Sequence, residues 1–173
     1  MCGSSHSIKF NIKFIINNII RIMVELNVVN KTKNKFLFEK EYKQILENLA
    51  KEFGLNQTVS VDVTITNNDE IQKLNKEYRN KDYPTDILSF GLEDWELFEN
   101  MPIYPLGELV ISHEKVEAQA QEFVHSIRRE YCYLFAHGLI HLMGYDHETE
   151  VERAEMNKLV DLIFEPLKIS REE

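Results

Sequence analysis

Apolar and polar positions alternate most cleanly over residues 59–66, where Val59, Val61, Val63 and Ile65 are separated by Ser60, Asp62, Thr64 and Thr66. A period of two is that of a strand with one face buried and the other wet. A shorter strand is predicted at Val24 to Val29, followed by a polar turn over residues 30–35. Between these strands the period changes: Phe38, Tyr42, Ile45, Leu46, Leu49 and Phe53 recur every three or four residues, as on one face of a helix, and Gly54 closes the segment. Asn68 is placed to cap a second helix carrying Ile71, Leu74 and Tyr78, which delivers Arg79 and Lys81 to its C-terminal end. Pro84 turns the chain within Tyr83-Pro84-Thr85-Asp86, because proline fixes its own φ and restrains the residue before it.

Strands are predicted next at Ile87 to Phe90 and at Leu106 to Ser112, joined by an acidic loop from Gly91 to Pro105 that holds Trp95, Met101 and two prolines. Loops of that length without pattern are more often functional or mobile than structural. Glu114 to Phe123 reads as a helix, and Ser126 as the cap of another reaching about Met143. In the latter, Ile127, Tyr131, Leu134, Phe135, Leu139 and Leu142 occupy much of the circumference, so the helix belongs in the middle of the core. Glu148 to Phe164 forms the last helix, ended by Pro166. The predicted fold is α+β: a small mixed β-sheet packed with helices around one buried central helix.

That central helix carries the chemistry. Residues 137 to 147 read HGLIHLMGYDH. A separation of four turns about 400° on an α-helix, so His137 and His141 project from one face, one turn apart. Gly144 lets the chain leave the helix in a left-handed conformation, which allows His147 to swing back to the same point. Three neutral imidazoles suit Zn²⁺, one ion per chain, or another divalent transition metal, and three protein ligands leave a fourth position open, as in catalytic rather than scaffolding sites. The remaining histidines, His6, His113 and His125, read as leader, structural or surface residues.

Length, charge and cysteines narrow the setting. A chain of 173 residues is long enough to bury a core without staples. Cys2 and Cys132 make no disulfide framework, which fits a reducing cytoplasm, the expected location. The segment IKFNIKFIINNIIRI is too short and too interrupted by Asn and Lys to span a membrane, which takes about 20 apolar residues, and no membrane partner is expected. A net charge of -9 argues against a general nucleic-acid binder while leaving room for local basic clusters at Lys73, Lys76, Arg79 and Lys81 and at Arg128 with Arg129.

The spacing His137-x3-His141-x2-Gly144-x2-His147 matches the metzincin protease pattern except at the residue after the first histidine. Metzincins place there the Glu that serves as general base; here it is Gly138, which accepts no proton. A zinc metallopeptidase is therefore the second reading. The proton acceptor stays open among Asp146, Glu108, Asp86 and a metal-bound hydroxide. Asp146, next to a ligand, is expected to orient a histidine or to cap the turn, and Glu108 to be structural within its strand or to face the cleft.

The same eleven residues resemble the HGxLHLxGYDH signature of the YbeY endoribonuclease family. LNKEYRNKDYPTDILSF (residues 74–90) is similar to that family's second block, and LGELVIS (residues 106–112) to its third, with Glu108 where the family often has Asp. The resemblance runs from about Met23 to Leu167 and leaves residues 1–22 unmatched. It implies a metal-dependent endoribonuclease specific for single-stranded RNA, acting on ribosomal RNA of the small ribosomal subunit in 3′-end maturation of 16S rRNA and in ribosome quality control. By position it makes His137, His141 and His147 the zinc ligands and Arg79 the functionally important arginine. The expected domain organisation is a disordered leader over residues 1–22 (a tag or mis-called start), one metal-dependent hydrolase domain over residues 23–167, and a tail over residues 168–173. Oligomeric state is left undetermined.

Overall fold

The computed structural model describes residues 22–93 and 95–171. The expected leader falls outside that range except for Ile22, which packs against the core. The alternating segment forms β2 (Thr58–Thr66), with Val59, Val61, Val63 and Ile65 buried and Asp62 exposed. Flanking it in parallel are β1 (Val24–Asn30) and β4 (Ile103–Ser112). β3 (Ile87–Gly91) pairs antiparallel with β4 and completes a mixed four-stranded sheet ordered β1-β2-β4-β3.

Parallel neighbours need a crossover long enough to return the chain, and α1 (Glu39–Glu52) supplies it between β1 and β2. Its Tyr42, Ile45, Leu46 and Leu49 are fully buried, while Phe38 and Phe53 flank the helix rather than belong to it. α2 (Asn68–Arg79) starts one residue earlier than a cap at Asn68 requires: Asn67, in extended conformation, accepts the Glu70 N–H. Asn68 is instead drawn into a tertiary contact, its side-chain oxygen accepting from the Ser112 hydroxyl at 2.8 Å.

β4 begins three residues before the predicted start, so the β3–β4 connection shrinks to residues 92–102 and contains a short 3-10 turn at Trp95–Phe98. No period is visible there because Ile103 to Pro105 precede a register shift opposite Ser60 and Asp62. α3 (His113–Glu122), α4 (Ile127–Leu142) and α5 (Glu150–Phe164) follow, capped by Ser112, Ser126 and Thr149. α5 starts at Glu150 rather than Glu148 because Thr149 and Glu152 close a reciprocal capping box.

One face of the sheet, built from Val59, Val61, Val63, Ile65, Ile87, Leu109 and Ile111, packs in a single cluster with residues of α1, α4 and α5. On the other face Ile71 of α2 covers Leu88 and Val110. α4 is the central helix: Tyr131, Cys132, Leu134, Phe135, Ala136, Leu139 and Ile140 are buried around it. Burial pushes the Cys132 thiol up to about 12, which leaves that cysteine unreactive. At the C-terminal end, Ile169 is buried in the same core and its carbonyl accepts from the Arg129 guanidinium.

Candidate metal centre

The site stands where α4 ends. Met143 is the last helix-flanking residue, Gly144 follows at φ +92°, and two backbone bonds close the turn: Gly144 N–H to His141 C=O (2.9 Å) and Tyr145 N–H to Ile140 C=O (3.3 Å). This is the pairing of a Schellman motif, and it needs the positive φ that glycine supplies. The turn also returns the Tyr145 carbonyl to the helix, where it accepts from His141 Nδ1 at 2.9 Å. His147 is carried beside the other two, and the Asp146 carboxylate fixes that last step by accepting the His147 N–H at 2.8 Å.

One nitrogen from each of His137, His141 and His147 lies within 4.8 Å of the others. The Nε2 atoms of His137 and His141 are 3.1 Å apart. Two nitrogens bound to one tetrahedral zinc at about 2.0–2.1 Å stand roughly 3.3 Å apart, so the spacing suits a shared metal. Because neutral His141 donates through Nδ1 to a carbonyl, its Nε2 presents a lone pair to the centre of the cluster. Burial, then the facing imidazoles, hold His137 down at about 4, and burial likewise lowers His141 against the opposing pull of the Tyr145 carbonyl. Both are neutral at pH 7 and fit a metal's demand for unprotonated ligands. His137 Nδ1 is buried with no hydrogen-bond partner among the described residues, so this ring is oriented by packing, with Tyr133 stacked 6.4 Å away.

Gly138, adjacent to the first histidine, faces the sheet. A Cβ added there would stand 2.7 Å from Ile87 Cδ1 and 2.8 Å from Leu109 Cδ2. Position 138 is therefore a packing position that lets α4 lie against β3 and β4. A metzincin-type Glu here would have to push aside the buried ends of Ile87 and Leu109 and would point its carboxylate at the sheet, and the metallopeptidase alternative is not supported.

The other predicted site residues separate. Arg79 is exposed at the end of α2, makes no ion pair among the described residues, and its charge disfavours protonation of His141. Its basic neighbours are partly neutralised, Lys76 by Asp82 at 2.6 Å and Lys73 by Glu70 at 3.7 Å. Arg128 pairs with Glu41, and Arg129 lies over the Phe164 ring, so that pair of arginines serves the scaffold. Glu108 sits in register beside Val110 on the α2 side of the sheet, where Thr64 donates to it at 2.9 Å, away from the face that α4 covers. Asp146 is bound to the turn. Asp86 accepts from the Ile87 N–H, the Thr85 hydroxyl and the Gln119 amide, and its charge is felt at His137. Sequence reasoning missed the Tyr145 carbonyl and the Tyr133 ring: a backbone acceptor leaves no mark on residue type, and Tyr133 reads as one more apolar position of α4.

Fold and site together define a small α+β protein that presents three histidines able to hold one metal ion. The model of the family described as "Endoribonuclease YbeY" matches residues 25–168, and the chain belongs to that family. Relatives named Endoribonuclease YbeY include that of Mycoplasmopsis synoviae, 51% identical over 84% of this chain and 94% of its own length. Those of Mycoplasmopsis pulmonis and Bacillus licheniformis are 44% and 49% identical, over 84% and 67% of this chain and 98% and 77% of their own lengths. The solution structure of TM1509 from Thermotoga maritima has a similar fold, with a TM-score of 0.55 at 28% identity over 83% of this chain and 92% of that one.

Proposed function

We propose that this protein is a zinc-dependent endoribonuclease that cleaves single-stranded RNA in the cytoplasm and acts on small-subunit ribosomal RNA, in 3′-end maturation of the 16S molecule and in ribosome quality control. The observation that carries the reading is the cluster of His137, His141 and His147, which can hold one metal ion; the charge of Arg79 also disfavours protonation of His141. Family membership supplies the reaction class, since the relatives carry the name endoribonuclease. No helix among the described residues is long and apolar enough to cross a membrane.

The three histidines would hold the metal. When bound, zinc supplies a hydroxide nucleophile near neutral pH and polarises a phosphoryl oxygen. The Arg79 guanidinium offers two parallel N–H donors to a phosphate, a fork that lysine lacks, and neutralises charge that grows as the phosphodiester is attacked. The Tyr145 carbonyl holds the His141 ring in one tautomer.

The test is cleavage of an unstructured RNA by the purified protein and by its His141→Ala and Arg79→Ala forms. Loss of activity in both, with zinc retained only in Arg79→Ala, is the expected result; equal activity in all three means a contaminating nuclease. In cells lacking the protein, 16S rRNA with an unprocessed 3′ end accumulates; normal ends would remove the ribosomal assignment.

A further inference from the structure

A cavity of about 460 Å³ lies beside the histidine cluster, between the ends of β3 and β4 and the turn that follows α4. His141 belongs to its wall and to the cluster alike, so the cavity and the cluster share one side chain. Its size falls in the range of small-molecule sites, about 300–1,000 Å³. The wall is largely apolar, from Tyr104, Leu106, Leu142 and Met143. Among the described residues lining it there is no Lys or Arg, and the one acid is Glu93. A phosphate entering it would meet the Glu93 carboxylate and no Lys or Arg side chain among the described residues, which disfavours the backbone of a nucleic acid there relative to the histidines. An uncharged planar ring suits it instead, stacked on the aromatic ring and against the thioether and aliphatic side chains. Burial, ahead of the nearby Glu99, pushes the Tyr104 phenol up, which keeps its hydroxyl a donor.

We infer that this cavity receives the unstacked nucleobase adjoining the scissile phosphodiester, with Glu93 at its mouth selecting guanine. The inference rests on the endoribonuclease reading and deepens it by assigning a base subsite. Guanine alone among the four RNA bases offers N1–H and an exocyclic N2–H side by side, the pair of donors that a single carboxylate accepts. The phosphate of the same nucleotide stays outside, at the histidines and Arg79. A base engaged in a duplex is stacked and paired and cannot enter, which makes the cavity a physical source of single-strand preference.

The experiment uses the full chain loaded with zinc and a set of short unstructured RNAs, each with one abasic ribose at a different position around the cut. An abasic ribose at one position adjoining the cut lowers kcat/KM by about ten- to hundredfold, with little effect elsewhere. Tyr104→Leu lowers kcat/KM on the parent RNA and removes that penalty, whereas Glu93→Gln keeps the penalty and loses the preference for guanine over uracil at that position. In parallel, the methyl resonance of Met143 is followed as guanosine 5′-monophosphate is added without turnover, and it shifts while that of Met101 does not. Uniform kcat/KM across the abasic series in the native protein overturns the base subsite and leaves the ribonuclease reading standing. Failure to cleave any RNA overturns the ribonuclease reading, and the Met143 resonance then decides the cavity by itself: an unmoved signal ends the proposal.

Discussion

The described histidines divide into two regions that differ in what each ring faces. His113 and His125 face carboxylates, Glu117 at 3.2 Å and Glu130 at 3.0 Å, and His113 also meets the Tyr131 hydroxyl at 2.6 Å. His137, His141 and His147 face one another, with ring centroids 4.7 to 5.5 Å apart. A carboxylate only accepts and so shares no lone-pair focus with the ring beside it, even where, as at His113 Nε2, no hydrogen bond to it is completed. Imidazoles turned toward each other cannot all donate, and they leave lone pairs aimed at a common point. Burial alone does not separate the two groups, because His113 is more buried than any histidine of the cluster. Neighbour chemistry does.

The largest test of that contrast is a pair of variants. His137→Ala is expected to weaken zinc binding by about a thousandfold, roughly one ligand's share of a binding free energy of 10–16 kcal/mol. His125→Ala keeps the zinc and costs about 1–3 kcal/mol of stability by leaving Glu130 without its partner. Elemental analysis and urea unfolding read the two effects, and zinc loss from His125→Ala would break the division.

Position 138 gives the next effect. Gly138→Glu restores the residue type of the protease pattern but drives a carboxylate into the Ile87 and Leu109 side chains. A cost of about 3 kcal/mol or more follows from overpacking and an unpaired buried charge, seen as a Tm lower by roughly 6–12 °C. A stable, peptide-cleaving variant would mean that position 138 faces the groove.

The two regions should also respond oppositely to pH in the metal-free protein. His137 is held down at about 4 against an ordinary 6.5, so the unfolded chain binds its proton first. Stability is complete above pH 6.5 and falls as pH drops toward 4. Glu130 is pushed up to about 7, by burial first and then by the charge of Asp86, from an ordinary 4.5. Its contribution is complete below pH 4.5 and is lost as pH rises through 7. Each slope is at most about 1.4 kcal/mol per pH unit. Urea midpoints measured from pH 4 to 8 should show a smaller acid-side fall in His137→Gln, where His141 keeps its own share, and should lose the neutral-side fall in Glu130→Gln; unchanged profiles in both variants would contradict the burial assigned to these groups. The smallest effect belongs to Asp146→Asn, whose amide oxygen still accepts the His147 N–H: stability within about 0.5 kcal/mol of native and unchanged zinc content are expected by the same two measurements.

Much of this was legible in residue order. The alternation at Val59 to Ile65 became the interior strand β2, and the apolar circumference of Tyr131 to Leu139 became the central helix. The helix–Gly144–His147 spacing anticipated a cluster that closes to 4.8 Å. Less visible were the start of β4, where a register shift hides the period, and the choice of Asn67 over Asn68 as cap, decided by a bond to Ser112 forty-four residues away.

The sequence by itself determined which elements form, because periodicity and capping are local, and it determined the three histidines, because their spacing is set by one helix and one glycine turn. The tertiary structure decided what no local rule contains. It showed that Gly138 packs against the side chains of Ile87 and Leu109, that Glu108 lies away from the face α4 covers, and that the charge of Arg79, carried on another helix, is felt at His141. Each of these depends on which face of the sheet a residue meets, and strand pairing sets that across distances in the chain that a local pattern does not span.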